Sequence, residues 1–596
     1  MKRIKILWSV VAFTTVVIVV QACKKGFLDV PPVNALSQEV LSNRVGVEGL
    51  LIGAYQRLGG SDNWGSAPSN WVFGSVAADE AYKGSTPSDQ PDINQIESWA
   101  YNANNGYFNE KWVNNYTGIG RANQVIRTVP LATDLTADEQ KRILAEARFL
   151  RAFYHFDLKR MFNNIPFVNE EINQTNQNTN PPNIDASGNY INVWPQIEAD
   201  FQFAADNLPE TLPQAGRANK WAAMSFLAKT YVYQDKFAQA KPLFDNIIAN
   251  GKTTNGQKYA LVNYFSNFNP QQENSAESIF AFQAAVNAGS GTSGNYGDNL
   301  NYPNGGGPGG CCGFFNPSIT MANAYKTDAN GLPLIDAYNT GATVTPGGGY
   351  TGTLDPRIDW VIGRPGIPYL DWGPHPGAAW IRDPGSNGPF SVKKTVYAKG
   401  QANLVSTDPS FWGPTQMDAG NVNLMRFADV LLMAAEAEVE AGSLAKALDY
   451  VNMVRARAAN PTGWVYKNAD YDPATATYKT SATSAPADNY KIALYPTGYF
   501  SSKEVARKAV LFERYLELSQ EGHRFFDLQR RDDGTGLMAN TLNAYAAAEK
   551  TRPSFYALNP TATFEKGKDE FYPLPQGQID QANSYGPIVL KQNPGY

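Results

Sequence analysis

Apolar residues recur every three or four positions in four stretches of the chain, which is the spacing of amphipathic helices that bury one face. In the first stretch, Ile143, Leu150 and Leu158 fall on the same side of the predicted helix. The four stretches run from about Thr136 to Phe162, Lys220 to Asn250, Arg426 to Ala458 and Ser502 to Arg530. The pattern predicts a mostly α-helical scaffold.

The second and third stretches each contain a break that divides them into two helices. Gln234-Asp235 interrupts the second, while Gly442 ends one helix of the third and Ser443 begins the next as its N-cap. Small alanines at the crossing points and large aromatic residues around them resemble tetratricopeptide-type helix pairs. Pro242 lies inside the second helix of the first pair and lacks an amide donor, so we expect a kink there.

Three long stretches between the predicted helices are rich in Gly, Asn, Pro and aromatic residues. They are Gly59 to Trp112, Gly289 to Pro317 and Gly341 to Pro414. Their tryptophans are Trp64, Trp71, Trp99, Trp112, Trp360, Trp372, Trp380 and Trp412. Such aromatic content is not typical of disorder, and loops of this length in a compact body are usually functional. We therefore expect ordered loops that build a surface, with two or three of these tryptophans exposed.

The N-terminus has the pattern of a bacterial lipoprotein export signal. Basic residues precede an apolar run from Ile6 to Val20, and Gln21, Ala22 and Cys23 follow it directly. The run is shorter than the ~20 residues that a membrane-spanning helix needs. We expect residues 1–22 to be a signal peptide and Cys23 to carry lipid, so that the mature protein is anchored at one end.

Charge and cysteine content narrow the possible functions and folds. The net charge is -5 and the pI is near 5.5, so a nucleic-acid partner is not expected, because phosphate binding needs clustered Lys and Arg. No Ser/Gly/Pro linker or charge block divides the chain, which favours one large body for residues 23–596. With Cys23 lipidated, only Cys311 and Cys312 remain, so no long-range disulfide stabilises the fold.

The adjacent pair Cys311-Cys312 lies in a run of glycines that begins at Gly305. Neighbouring Cα atoms are ~3.8 Å apart across a trans peptide, below the range usual for disulfides, so a bond between them requires a distorted peptide. The flanking glycines could absorb that distortion. Two interpretations stay open at this point: a vicinal disulfide that forms a rigid apolar knob beside Phe314, and two free thiols.

A series of motifs along the chain resembles the RagB/SusD family of outer-membrane nutrient-binding lipoproteins. In order, the motifs are Phe27-Leu28-Asp29-Val30-Pro31-Pro32, Glu146 to Tyr154, Asn316-Pro317-Ser318 with Ala324-Tyr325, Leu354-Asp355-Pro356-Arg357, Arg426 to Ala437, Glu513 to Leu518, Glu521 to Leu528, Tyr572-Pro573-Leu574-Pro575 and Gln592 to Tyr596. Each motif is short, and their shared order along the chain carries the resemblance.

The resemblance implies a SusD-like helical fold with tetratricopeptide-like pairs as scaffold on one side and ligand loops on the other. It implies a helical N-terminal half to about residue 280 and a RagB/SusD half from about 281 to 596. Members of the family bind oligosaccharides or other nutrients at the cell surface and pass them to a SusC-like TonB-dependent transporter in the outer membrane. They are binding proteins without catalytic activity, and no cofactor is implied.

A glycan site needs aromatic platforms beside hydrogen-bonding side chains, because sugar rings have an apolar C–H face and a rim of hydroxyls. The candidates in the first loop stretch are Trp71, Asp79, Lys83 and Asp92, and those in the other two are Phe314, Trp360, Asp371, Trp372, His375, Trp380 and Arg382. For each tryptophan, the alternative is a buried packing role under the loops.

Two other functions remain open on the sequence alone. A surface glycoside hydrolase with an all-helical body needs two carboxylates that meet only in the fold, and a pure scaffold would use only its helix pairs. Catalysis has little support, since His155 and His523 fall on predicted helices and only His375 lies in a candidate loop. No HExxH, nucleophile elbow or EF-hand motif is present, so no metal site is predicted.

Overall fold

The computed structural model of the chain describes residues 38–172, 181–288, 294–410, 413–584 and 586–596. The predicted signal peptide, the lipidation site Cys23, the motif that begins at Phe27, and Trp412 lie outside these residues. Within the described part, no helix combines the length and the apolar character needed to cross a membrane.

Helices account for most of the regular structure, which confirms the prediction of a mostly α-helical fold. In chain order they are α1 (Gln38–Leu41), α2 (Arg44–Gln56), α3 (Pro91–Glu97), α4 (Gly106–Thr128), α5 (Ala137–Phe162), α6 (Trp194–Asn207), α7 (Lys220–Val232), α8 (Phe237–Asn250), α9 (Ile319–Ala324), α10 (Ile358–Val361), α11 (Pro384–Asn387), α12 (Phe427–Ala441), α13 (Leu444–Ala459), α14 (Lys503–Glu517), α15 (Arg524–Arg530), α16 (Leu537–Glu549), α17 (Phe555–Leu558) and α18 (Gln576–Asn583).

Shorter helical turns lie mostly in the loops. A π-helix covers Trp71–Val76, and the 3₁₀ turns are Arg57–Gly59, Val129–Leu131, Tyr264–Phe268, Tyr296–Asp298, Gly377–Trp380, Lys399–Leu404, Pro414–Gln416 and Pro461–Gly463.

The strands are short and pair in twos, so they fasten loops together without forming a central sheet. They are β1 (Ala81–Gly84), β2 (Ser278–Phe282), β3 (Phe314–Pro317), β4 (Lys326–Thr327), β5 (Thr353–Leu354), β6 (Ile362–Gly363), β7 (Ser391–Val392), β8 (Val422–Arg426), β9 (Asp470–Asp472) and β10 (Thr477–Lys479). The antiparallel pairs among the described residues are β1 with β3, β2 with β8, β4 with β5, β6 with β7, and β9 with β10.

The long helices form a continuous layer in which each packs on the next. Helix α4 packs on α5, α5 on α6, α6 on α7 and α7 on α8; α8 packs on α12, which also contacts α13 and α14. Helix α5 begins with a capping box, in which the Thr136 hydroxyl accepts from the Glu139 amide and the Glu139 carboxylate accepts from the Thr136 amide. The apolar face predicted from periodicity is the face that this layer buries.

The two predicted helix pairs are α7 with α8 and α12 with α13, and both breaks fall where the sequence places them. Ser443 caps α13 by accepting a hydrogen bond from the Lys446 amide. Helix α8 continues through Pro242. Ion pairs join the two pairs, since Lys446 contacts Asp245 of α8 and Lys241 lies 3.1 Å from Glu438 of α12. The two units, distant in sequence, are therefore neighbours in space.

The fourth predicted stretch is two helices instead of one. Helix α14 ends at Glu517 and α15 begins at Arg524. The intervening residues include Gln520 and Gly522, whose φ angles are +57° and +72°. Backbone in this left-handed region cannot continue an α-helix, so the chain turns between them.

Residues near position 596 fold back on the middle of helix layer α4–α6. The Asn593 side chain donates to the carbonyl oxygens of Phe162 and Tyr572, each at 2.8 Å, and accepts from Asn164 at 2.9 Å. The Tyr572 hydroxyl donates in turn to the carbonyl of Phe73 at 2.7 Å. The last motif of the sequence is thus tied to the first long helices and to the loop after Gly59.

Candidate functional site

The three long loop stretches lie against one another. Strand β1 of the first pairs with β3 of the second, and the Asn304 amide of the second donates to the Trp380 carbonyl of the third at 2.9 Å. Their described parts are built from short strands, turns, short α-helices, 3₁₀ segments and one π-helix, in agreement with the expectation of ordered loops. This arrangement creates one loop face, defined here as the surface formed by residues 59–112, 294–317, 363–410 and 413–418.

Most of the predicted ligand residues do not reach that face, and this corrects the sequence-based selection. Seven of the eleven candidates are buried in the structure: Trp71, Asp79, Lys83, Phe314, Trp360, His375 and Trp380. Each packs on other side chains or forms hydrogen bonds with other residues, so it stabilises the loops from the protein interior. Asp92, Asp371, Trp372 and Arg382 remain at least partly exposed.

The buried aromatic candidates pack in the core beneath the loops. Trp71 packs on Phe314 and donates from Nε1 to the Gly297 carbonyl at 3.0 Å. Trp360 stacks on Phe265 with ring centroids 4.9 Å apart and donates to Gly463 at 2.6 Å. Buried tryptophans satisfy their indole N–H in this way, which leaves no face for a ligand.

The buried polar candidates are held by specific partners. Asp79 forms a two-pronged ion pair with Arg524, with distances of 2.8 and 2.9 Å. Lys83 donates to the carbonyl oxygens of Thr86 and Asp89, and burial lowers its pKa to about 8. Lys83 thus holds the loop after β1, and Asp79 ties the residues before β1 to α15, so neither side chain is available to an external molecule.

His375 is a structural residue in the third loop stretch. Its Nδ1 accepts from the Gly377 amide at 3.0 Å, so Nε2 is assigned the proton and donates to the Ser391 hydroxyl at 2.7 Å. Burial lowers the pKa of His375 to about 3, and the imidazole is neutral at physiological pH. Its two hydrogen bonds link two segments of the loop.

Arg382 forms the charged part of the loop face. Its guanidinium lies 3.1 Å from the Asp89 carboxylate, and the two side chains are 38% and 32% exposed. Asp89 also accepts from the Ser85 hydroxyl at 2.8 Å. The pair joins the first and third loop stretches, and its exposed donors and acceptors can bind hydroxyl groups.

Asp92 and Asp371 reach solvent but already accept backbone hydrogen bonds. Asp92 accepts from the Gly106 amide at the start of α4, at 3.1 Å. Asp371 accepts from the amides of Lys399 and Gly400 at 2.6 and 2.7 Å. Carboxylates held in this way fix loop geometry and keep lone pairs that face water.

Trp372 is the predicted tryptophan whose ring remains partly exposed. Its Nε1 donates to the Tyr397 carbonyl at 3.0 Å, and its ring meets the Tyr397 ring edge-on at 6.1 Å. One face of the indole is therefore positioned by Tyr397 while the remainder is open. Trp372 is a candidate aromatic platform.

A second partly exposed platform was not among the predicted ligand residues. Trp64 stacks on Tyr296 with ring centroids 6.3 Å apart and planes inclined by 21°, and its Nε1 donates to Asn299 at 2.8 Å. Both rings lie in short runs of Gly, Asn and Asp, between Asp62 and Gly65 for Trp64. The same composition singled out residues 369–383, so this signal was present in the sequence for Trp64 as well.

Carboxylates lie next to this aromatic pair. Glu110 accepts from the Gly65 amide at 2.8 Å, and partial burial raises its pKa. Burial also raises the pKa of Asp62, while the Arg57 charge opposes that shift. A stacked aromatic surface flanked by acceptors has the combination of groups that a sugar ring requires.

The glycine run covers two aromatic rings and leads to the cysteine pair. A methyl group added at Gly307 would lie 3.1 Å from Cε2 of Trp380, and one at Gly309 would lie 2.6 Å from Cγ of Tyr302. The glycines therefore let the backbone lie directly on these rings, which explains why Trp380 is only 8% exposed. Cys311 and Cys312 are joined by a disulfide and by a cis peptide bond.

Taken together, the loop face offers two aromatic platforms, an ion pair and a disulfide. It can stack apolar ligand surface and form hydrogen bonds with hydroxyl groups. In the described ranges, no three His, Cys, Asp or Glu side chains come together in a way that could hold a metal ion.

Comparison with known proteins matches almost the whole chain. The model of the SusD family matches residues 276–596, and a model described as starch-binding, associating with the outer membrane, matches residues 26–232. SusD-like protein P2 of Formosa agariphila is 23% identical over 536 residues, which cover 84% of this chain and 83% of that protein.

Solved structures share the fold. A laminarin-binding SusD-like protein superposes with a TM-score of 0.62 at 22% identity, covering 93% of this chain and 100% of the other. Surface glycan-binding protein A from Bacteroides thetaiotaomicron, in complex with laminarihexaose, gives a TM-score of 0.62 at 18% identity, with coverage of 92% and 99%. At these identities the likeness concerns the fold.

Proposed function

Because this chain belongs to the SusD family, we propose that it is a surface lipoprotein that captures oligosaccharides and delivers them to a SusC-like TonB-dependent transporter. In this proposal residues 23–596 form one domain, lipid on Cys23 tethers it to the outer membrane, and the helix pairs face the transporter. The loop face binds the sugar. A relative's complex with laminarihexaose and the starch-binding description of the second family model support the ligand class.

The Trp64–Tyr296 stack is the observation that carries the proposal. It is a partly exposed aromatic pair with Asp62 and Glu110 beside it, whereas the other aromatic side chains of the first loop stretch mostly face the core. The C–H face of a pyranose can lie on the indole while its hydroxyls donate to the carboxylates.

Calorimetric titration of the protein with a panel of oligosaccharides tests the ligand class. The panel includes laminarihexaose and maltohexaose, together with β-mannan, xylan and pectin fragments. We expect at least one to bind, and we expect Trp64→Ala to weaken that binding about tenfold, which corresponds to about 1.4 kcal/mol.

Trp464→Ala is the matched control for this titration. Trp464 is also partly buried, and its Nε1 donates to the Ala458 carbonyl at 3.0 Å, but it lies beside Tyr490 outside the loop face. The affinity of the Trp464→Ala variant for the oligosaccharide should equal that of the unsubstituted protein. Equal losses in both variants, or no binding anywhere in the panel, would contradict the proposal.

We propose binding without turnover. Glu110 accepts from the Gly65 amide, while Asp89 accepts from the Ser85 hydroxyl and pairs with Arg382, so both carboxylates already hold loop segments together. Incubation of the best-bound oligosaccharide with the protein should release no new reducing ends. Release that disappears in Glu110→Gln would instead establish a glycoside hydrolase.

Membrane attachment and transporter binding have separate tests. Cys23→Ser should move the protein from the outer-membrane fraction to the soluble fraction. The lipidated protein, extracted in mild detergent, should co-purify with a TonB-dependent transporter. A protein that binds the transporter but no oligosaccharide would be a scaffold.

A further inference from the structure

We propose that the Cys311–Cys312 disulfide is itself a contact surface for the bound oligosaccharide on the loop face. This inference rests on the proposed function, because it names a subsite of the same binding surface. The glycine-rich segment would then take part in ligand recognition, a role that the family comparison does not give it.

A disulfide between neighbouring residues contributes little to global stability. Disulfides stabilise mainly by closing a loop in the unfolded chain, and the stabilisation grows with loop length. The sequence separation of Cys311 and Cys312 is 1, so the bond connects no distant parts of the fold. Its effect is local, and what it changes is the shape and polarity of the surface at this point.

The disulfide is held in a fixed position by the residues around it. The Gln416 side chain donates to Sγ of Cys312 at 3.2 Å. The Gly309 amide donates to the Tyr397 hydroxyl at 3.1 Å, and the Thr415 hydroxyl donates to the Gly309 carbonyl at 3.1 Å. Cys312 is 5% exposed, whereas Cys311 is partly exposed. A ligand would therefore meet Cys311 and the adjacent sulfur as a preorganised surface, which lowers the entropy cost of binding.

The chemistry of this surface suits a sugar ring. Sulfur is polarisable and forms only weak hydrogen bonds, so a disulfide behaves as a compact apolar group. The C–H face of a pyranose can pack on it without leaving a buried hydroxyl unpaired. Reduction would replace the disulfide with two thiols that are free to rotate separately.

Hydrogen-bonding groups lie next to the residues that flank the disulfide. A methyl group added at Gly313 would lie 2.9 Å from Cβ of Arg382, which pairs with Asp89. Before the disulfide, the Thr415 hydroxyl donates to the Gly309 carbonyl and the Gly309 amide donates to Tyr397. Sugar hydroxyls can bind such groups while the C–H face of the ring packs on the disulfide.

Protection of the disulfide from reduction tests the inference on the folded protein. The chain with Cys23→Ser contains only these two cysteines, and tris(2-carboxyethyl)phosphine reduces them at a rate that iodoacetamide trapping and mass spectrometry measure. With the tightest binder of the panel present at ten times its Kd, the rate should fall about tenfold, in proportion to the unbound fraction. A panel oligosaccharide that does not bind is the control and should leave the rate unchanged.

The double variant C311S/C312S provides the second measurement. Its affinity for the same oligosaccharide should fall about fivefold to tenfold, which is about 1 kcal/mol, while its thermal midpoint stays close to that of the parent. A reduction rate that is unchanged at saturation overturns the inference. Protection combined with full affinity of C311S/C312S also overturns it, because the oligosaccharide would then shield the disulfide without using it for binding.

These outcomes are distinguishable from failure of the proposed function. If Trp64→Ala loses affinity while the disulfide is unprotected, the oligosaccharide binds elsewhere on the loop face, and only the inference fails. If no oligosaccharide binds, both fail. If C311S/C312S does not fold, C311A/C312A replaces it in the affinity measurement, and an unchanged reduction rate of the parent at saturation still overturns the inference.

Discussion

At the scale of single residues, the described part of this protein buries many ionisable groups and pairs many of them with an opposite charge. Glu80 is one of several buried carboxyl groups for which burial outweighs the effect of its partners on the pKa. It is 1% exposed, and its carboxylate accepts from the Gln520 amide at 3.0 Å, near Asp79 and Arg524. Burial raises the pKa of Glu80 to about 8, so the side chain is protonated in the folded protein at neutral pH.

This shift predicts a pH-dependent stability term that Glu80→Gln removes. Between pH 4.5 and 8 the folded state holds a proton on Glu80 that the unfolded state has lost, so the free energy of unfolding falls as pH rises through this window. The free energy of unfolding of E80Q, relative to that of the parent, should rise by about 3 kcal/mol between pH 4.5 and 7.5, measured by urea unfolding. E565Q, at an exposed carboxylate, is the control, and its free energy of unfolding should differ from that of the parent by the same amount at every pH. A difference between E80Q and the parent that does not change with pH would contradict the raised pKa of Glu80.

Residue types in the loops were predictable from the sequence, but the burial of each residue was not. The aromatic and polar alternation of residues 369–383 identifies a loop that contributes to the face. It does not tell whether Trp372 or Trp380 points outward, because that depends on the glycines of another stretch lying on Trp380. Trp64 and Tyr296 are 232 positions apart in number, and no local pattern indicates that they stack.

At the scale of elements, close backbone crossings fix how the loops meet the helices. The π-helix Trp71–Val76 touches the turn between α14 and α15 at Gly74. A methyl group added at Gly74 would lie 2.0 Å from the carbonyl oxygen of Gly522, and one at Gly522 would lie 2.0 Å from that of Ser69. Neither backbone can move away without separating the elements, so both positions require glycine.

This crossing predicts a large cost for Gly74→Ala. We expect the free energy of unfolding to fall by about 3 kcal/mol, because the added carbon meets backbone instead of a movable side chain. Gly49→Ala is the matched control: Gly49 lies within α2, and no atom lies within 4 Å of an added methyl group. It should raise the free energy of unfolding by up to about 1 kcal/mol. Equal effects of the two variants in chemical unfolding would show that the crossing is not tight.

Helix existence was the most predictable property of the chain. The start of α5 at Thr136, the break at Gln234-Asp235 and the break at Gly442 all follow from local capping and turn residues. The division between α14 and α15 was missed, because the apolar spacing continues across it. Its cause is a tertiary contact, the crossing of Gly522 over the π-helix, which periodicity does not record.

At the scale of the whole molecule, a buried ion-pair network joins segments that are far apart in sequence. Arg426 lies 2.8 Å from Glu277, 2.6 Å from Glu517 and 2.8 Å from Glu521, and its side chain is 1% exposed. Arg357 lies 3.0 Å from the same Glu517. These residues belong to the motifs that carry the family resemblance or pair with them. Several of the motifs that carry the family resemblance therefore meet in one buried network of the scaffold.

The network predicts that removing its central cation is costly. Arg426→Met removes the cation that three buried carboxylates share, and the basic residues that remain beside them, Lys394, Arg457 and Arg357, compensate only part of their charge. The free energy of unfolding should fall by about 3 kcal/mol. Arg507→Met is the control, since Arg507 is 48% exposed and pairs with Glu440 at the surface, where such a pair is worth less than about 1 kcal/mol. Similar midpoints of urea unfolding for the two variants would argue against a structural role for the network.

The hydrogen bond from Asn593 to Phe162 spans 431 positions, and it has a consequence for how the chain acquires its shape. Protein synthesis proceeds from the first residue to the last, so α5 is made long before the segment that donates to its last carbonyl oxygen. Contacts this distant in sequence close slowly, since a long stretch of chain must lose its freedom first. The C-terminal end of α5 therefore gains this hydrogen bond only after almost the whole chain has been made.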